Sequence, residues 1–148
     1  RAEHTDMPIL VRISGTEWLD DGFKPEDSAQ LSKWLLEDGV DLVDCSSAAN
    51  VPAKIPIAPS YQVHIAEAVH DAGMPSSAVG LIISSAQAES ILQTGQADII
   101  TIGRPMMANS NLPILWASEL RADNIWDFIP KPYSWARFTN ASIGNVEI

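Results

Sequence analysis

Short apolar runs alternate with amphipathic stretches along most of the chain. The first run, Ile9-Leu10-Val11-Arg12-Ile13-Ser14, is brief and β-branched, as expected of a strand buried on both faces of a parallel sheet. A turn-like stretch follows, Trp18-Leu19-Asp20-Asp21-Gly22, and then Lys24-Pro25-Glu26-Asp27 opens a helix. Pro25 suits the first helical position, and the two acids favour the positive end of the helix dipole. Leu31, Trp34 and Leu35, spaced i, i+3, i+4, predict its apolar face, and Gly39 predicts its C-terminal cap.

The same unit then recurs. Val40-Asp41-Leu42-Val43-Asp44-Cys45 reads as a second strand that runs into Ser46-Ser47-Ala48. A loop with Pro52, Pro56 and Pro59 leads to a helix over Tyr61 to Asp71, with Ile65, Ala66 and Val69 inward, closed by Gly73-Met74-Pro75. Val79-Gly80-Leu81-Ile82-Ile83 predicts a third strand. Ser84-Ser85 can cap a helix from Ala86 to Gln93, which Gly95 ends. Ala97-Asp98-Ile99-Ile100-Thr101-Ile102 is the fourth strand, with Gly103-Arg104-Pro105 directly behind it. Pro105 to Ala108 predicts a short extra helix, and Asn111-Leu112-Pro113 starts a longer one ending near Leu120.

Strands alternating with helices predict an α/β fold, a parallel sheet with right-handed crossovers. A doubly wound open sheet and a (β/α)8 barrel both satisfy that pattern. Neither G-x-G-x-x-G nor G-x-x-x-x-G-K occurs, so the glycine-rich turn of a nucleotide-binding open sheet is missing. Small residues gather instead behind the third and fourth strands, at Gly80 and Gly103, where barrels place paired phosphate-binding loops. The expected organisation is four βα units of a barrel over residues 1–120, then a tail over 121–148. That tail carries Trp126, Phe128, Tyr133, Trp135 and Phe138 without periodicity, which suits a segment packing on the barrel or on a neighbouring subunit.

Charge narrows the partners. Among 148 residues, 19 acids against 9 bases give a formal charge of −10, so neither nucleic acid nor an anionic membrane surface is an expected partner. No apolar run approaches the roughly 20 residues that span a bilayer. One cysteine excludes an internal disulfide and fits a reducing, cytoplasmic setting. The start at Arg1-Ala2-Glu3-His4, without Met, reads as a piece of something longer.

Few residues stand out chemically. Arg12 interrupts an apolar strand, and burying its charge is costly unless it is paired. It either reaches an anion or polarised oxygen, or makes a salt bridge with a neighbouring acid. Gly103-Arg104 joins a glycine that admits close backbone approach to a guanidinium able to grip phosphate, and Gly80 can open the same space from the adjacent strand. His4, His64 and His70 show no metal spacing and suit the solvated surface. Asp41 and Asp44 flank a strand, as paired acid/base groups or, more commonly, as caps and loop anchors; Cys45 reads as a small buried hydrophobe.

Val11-Arg12-Ile13-Ser14 together with Gly39-Val40-Asp41-Leu42-Val43-Asp44-Cys45-Ser46-Ser47 resembles the Old Yellow Enzyme family. These are FMN-dependent NAD(P)H oxidoreductases, or ene-reductases, that reduce activated C=C bonds by hydride transfer from NAD(P)H to flavin N5 and on to the alkene. The resemblance continues in order through Pro59-Ser60-Tyr61-Gln62-Val63, Ala78-Val79-Gly80-Leu81-Ile82 and Ala97 to Arg104, and is strongest to the thermophilic-like subgroup.

It implies that these units are strands five to eight, the C-terminal half, of a (β/α)8 barrel. It further implies that Arg12 reaches the N1/O2 side of the flavin, where a cation stabilises the reduced ring. Ser46 and Ser47 match the loop near the cofactor. Gly80, Leu81 and Ile82, with Gly103 and Arg104, match the holders of the FMN phosphate. Arg137, in Tyr133-Ser134-Trp135-Ala136-Arg137, matches an arginine that enters a neighbouring subunit's active site, which implies a homo-oligomer.

Two positions depart from the family pattern: Ala48 where glycine usually follows the serines, and Trp135 where tyrosine is usual. The half-barrel carrying the substrate-polarising histidines, the proton-donating tyrosine and the flavin-tuning cysteine has no counterpart here. The chain is thus expected to bind FMN but to be inactive without an N-terminal half-barrel. The competing expectations are a non-catalytic half-barrel that self-associates, or pairs with a separate half and binds phosphate or flavin weakly, and a phosphate-binding barrel without flavin.

Overall fold

The computed structural model describes residues 6–47, 50–123 and 125–133. Strand β1 (Leu10–Ser14), helix α1 (Pro25–Glu37), strand β2 (Leu42–Ser46), helix α2 (Val63–Asp71), strand β3 (Ser76–Ala78), helix α3 (Ser85–Gln93) and strand β4 (Ile99–Ile100) follow one another, then helices α4 (Arg104–Ala108) and α5 (Leu112–Glu119). Short 3₁₀ turns at Ile125–Phe128 and Lys131–Tyr133 are the only regular pieces described in the tail. The strands form one parallel sheet in the order β1-β2-β3-β4. Sequential parallel strands with right-handed crossovers place their helices on a single face of the sheet.

That helix-covered face is the core. Val43, Cys45 and Ala78 point into it at 0% exposure, as do Ile65, Ala66 and Val69 of α2. Residues of the opposite parity (Leu10, Arg12, Asp44, Ser77, Ile99) share the other face, called here the inner face, where Leu10 is 60% and Ile99 49% exposed. Two compact units divide the chain: one runs to Ile83 and includes Gln87–Ile102, and the other holds Ser84–Ala86 and the chain from Gly103 onward. In the second, the Ser85 hydroxyl donates to the Glu119 carboxylate at 2.6 Å.

The first three long helices end in one way. The residue after the glycine at 39, 73 or 95 donates back five positions: Val40 to Leu35, Met74 to Val69, Gln96 to Ile91. Each glycine takes the positive φ that this Schellman closure requires, between +71° and +90°.

Two expectations are corrected. The third strand lies at Ser76–Ala78, ahead of the predicted Val79–Ile83. Between β2 and β4 these three residues are at most 2% exposed, and small side chains fill that space. Gly80 and Leu81 turn to φ of +121° and +51°, which is incompatible with an extended strand. The buried stripe of α1 consists of Ser28 and Ser32, and Trp34 is 56% exposed. Ser28 Oγ donates to the Gly15 carbonyl at 2.8 Å, and Ser32 Oγ to the Ser28 carbonyl at 2.7 Å.

Candidate functional site

A polar row crosses the inner face. Arg12, Asp44 and Ser77 are aligned in register on adjacent strands, and Thr101 follows β4. Asp44 joins them. Its Oδ2 accepts from Arg12 Nη1 at 2.8 Å, and its Oδ1 accepts from Ser77 Oγ at 2.5 Å and from Thr101 Oγ1 at 3.4 Å. The Ser77 and Thr101 hydroxyls are themselves 2.9 Å apart. With Leu10, Leu42 and Ile99 this row lines a depression of about 210 Å³. Arg12 thus makes the salt bridge that its strand position allowed, yet its side chain stays 56% exposed against 18% for Asp44. A guanidinium carries five N–H donors in a planar fork, and the side-chain hydrogen bond from Arg12 among the described residues uses Nη1.

At the carboxyl ends of β2 and β3, two glutamines organise the loops. Gln62, 3% exposed just before α2, receives both the N–H and the hydroxyl of Ser47 on its Oε1, the latter at 2.7 Å. The same side chain lies under Gly80: a Cβ there would come within 2.9 Å of Nε2 and 3.1 Å of Cβ of Gln62. Gln87 of α3 spans the next turn, donating to the Leu81 carbonyl at 3.0 Å and to Ser60 Oγ at 2.7 Å, and accepting from the Ile83 N–H at 3.0 Å. Neither glutamine stands out in the sequence. The available signal is that each is a polar residue at a helix start, beside an apolar stripe.

Among the residues singled out, Ser46 ends β2 in register with Ser14, and Ser47 is buried on Gln62. Ile82 is 3% exposed. In the second unit, Gly103 precedes α4, and among the described residues beyond its chain neighbours no atom lies within 4 Å of the position a Cβ would occupy; Arg104 at the head of α4 is exposed. Ala48, Trp135 and Arg137 lie outside the described residues. His64 is exposed, its ring edge-on to Trp18 at 5.5 Å. Asp41 anchors a loop by accepting the Ile9 N–H at 2.7 Å. Burial, and secondarily the neighbouring Asp44, push the Cys45 thiol up to about 12, which suits a filler and not a nucleophile.

Comparison with known proteins bears on this arrangement. Residues 2–123 match the model of the NADH:flavin oxidoreductase / NADH oxidase family. The chain belongs to this family. It is similar to the NADPH dehydrogenase of Halalkalibacterium halodurans, with 47% identity over 116 residues, which is 78% of this chain and 34% of the relative. The chain therefore spans about a third of that relative's length. Membership makes the parallel βα sheet part of a (β/α)8 barrel, so the inner face with Arg12 and Asp44 is barrel interior.

Proposed function

We propose that the chain is the FMN-binding C-terminal part, strands five to eight, of an NAD(P)H-dependent oxidoreductase that reduces activated C=C bonds. The observation that carries the reading is Arg12: in a family of flavin oxidoreductases, a cation on the barrel's inner face has a side chain 56% exposed and is held through Nη1. The residues present suit a flavin nucleotide. Arg12 would face the ring's N1/O2 edge, and its charge would oppose negative charge gathering there. The backbone at Gly80, Leu81 and Ile82 would hold the phosphate, and so would Gly103 and Arg104 of the second unit, as the resemblance to the family implies. The unencumbered surroundings of Gly103 and the exposed Arg104 guanidinium support that role.

Bound FMN would supply the hydride chemistry between NAD(P)H and an electron-poor alkene. Ser46 would border the ring from β2, while Ser47, committed to Gln62, would keep that loop in shape. Arg137, outside the described residues, is proposed to act in a neighbouring subunit of a homo-oligomer.

The test is made on the full-length chain. A flavin absorbance band and NADPH-driven reduction of cyclohex-2-enone are expected. Arg104→Ala should weaken FMN binding by roughly 1.5–3 kcal/mol, the worth of a charge-assisted hydrogen bond, or about ten- to hundredfold in Kd. An unchanged Kd overturns the phosphate assignment, and a colourless protein that binds no FMN overturns the whole reading.

A further inference from the structure

We propose that Asp44 is the positioning residue for Arg12, fixing the guanidinium in the orientation in which it meets the flavin ring. This rests on the reading of Arg12 as the ring-facing cation. An arginine side chain has several rotatable bonds, and one that is 56% exposed takes a single geometry only if something holds it. Asp44 is its register partner on β2 and accepts from Nη1 at 2.8 Å. Its second oxygen accepts from the hydroxyls of Ser77 and Thr101. The carboxylate plane is thereby fixed from β3 and from the residue just past β4, so the position of Arg12 is referenced to the whole sheet. Stability alone is a poor explanation for such a network, because ion pairs with an exposed member contribute little. The cost of a loose cation falls instead on electrostatic preorganisation, where orientation decides the effect.

The sign of the effect separates positioning from direct action. A carboxylate acting directly on the ring disfavours added negative charge, so its removal would raise the flavin's reduction potential. A carboxylate acting through Arg12 favours that charge, so its removal would lower the potential.

The experiment measures the two-electron midpoint potential of FMN bound to the full-length chain, by flavin absorbance against a reference dye, for Arg12→Ala, Asp44→Ala and the double variant. Arg12→Ala is expected to lower the potential by on the order of tenfold in the reduced-to-oxidised ratio, about 30 mV for a two-electron couple. Asp44→Ala is expected to shift it the same way by a smaller amount, and the double variant should match Arg12→Ala alone. Asp44→Asn, which keeps the side-chain shape and an acceptor for Ser77, gives the same reading if the alanine variant does not fold. An unmoved or raised potential in the Asp44 variants, with Arg12→Ala still lowering it, overturns the positioning role and leaves the Arg12 reading standing. A potential that Arg12→Ala does not move overturns the Arg12 reading and the proposal with it.

Discussion

At the residue scale, Arg12 and Gln62, polar side chains in or beside the sheet, are answered by partners whose identity local pattern could not supply. The Arg12 sequence context left two destinations open, and its answer, Asp44, comes from a strand 32 positions on. Gln62 was invisible for a related reason: its work on Ser47 and Gly80 exists only once the loops after β2 and β3 converge. Gly15 shows the same dependence in apolar form. A Cβ there would collide with Ile65 Cγ2, because Gly15 backs directly onto α2. Gly15→Ala is therefore expected to destabilise the protein by about 1–3 kcal/mol, the range for overpacking a dense core, as measured by urea unfolding.

Asp98 extends the argument to pH. Burial pushes its carboxyl up, but hydrogen bonds from the Ser76 N–H and His70, together with the charge of His70, outweigh that and leave it below its ordinary value of 3.8. A carboxylate lowered in the folded state contributes stability that is complete above its unfolded pKa and fades as pH falls through the folded one. Asp98→Asn keeps an acceptor for Ser76 and removes the charge. It should cost less than about 1 kcal/mol at pH 7, since the side chain is 41% exposed and screened by solvent. Unfolding curves at pH 7 and pH 2 check this, with the gap between variant and parent closing at the lower pH.

At the scale of elements, the βα alternation, the helix ends at Gly39, Gly73 and Gly95, and three of the four strands were legible from the sequence. Periodicity and capping are local, and they survive folding unchanged. The third strand was misplaced because hydrophobicity favours Val79–Ile83, whereas the slot between β2 and β4 selects for smallness and takes Ser76-Ser77-Ala78. Helix α1 repeats the lesson. Its apolar stripe pointed to Trp34, but the surface that meets its neighbours is formed by Ser28 and Ser32, whose hydroxyls bond to carbonyls and allow close approach. Trp34→Gln is accordingly expected to change stability by no more than about 0.5 kcal/mol, as surface substitutions do. Ser32→Leu, by contrast, should cost roughly 1–3 kcal/mol through overpacking. Thermal melts of the two variants test the assignment, and equal losses would contradict it.

At the scale of the whole molecule, the inner face of the sheet is the element the described residues leave unanswered. Leu10 and Ile99 stand exposed there beside Arg12, while the opposite face is closed by helices. Among the described residues, β1 and β4 each have a single hydrogen-bonded neighbour in the sheet. Such edges and apolar surface favour association with another chain. Barrel closure would cover both, and the family to which the chain belongs, together with its one-third share of the relative's length, favours that source of cover.

Residues 1–148 produced alone are thus expected to self-associate as concentration rises, seen by sedimentation velocity, and to give no NADPH-dependent reduction of cyclohex-2-enone. The full-length chain should reduce the enone without that concentration-dependent association. A monomer of the 148 residues that turned over enone at the full-length rate would mean that these four βα units hold the entire catalytic apparatus. Arg12 and Asp44 would then line a site complete in itself, rather than one wall of a closed barrel.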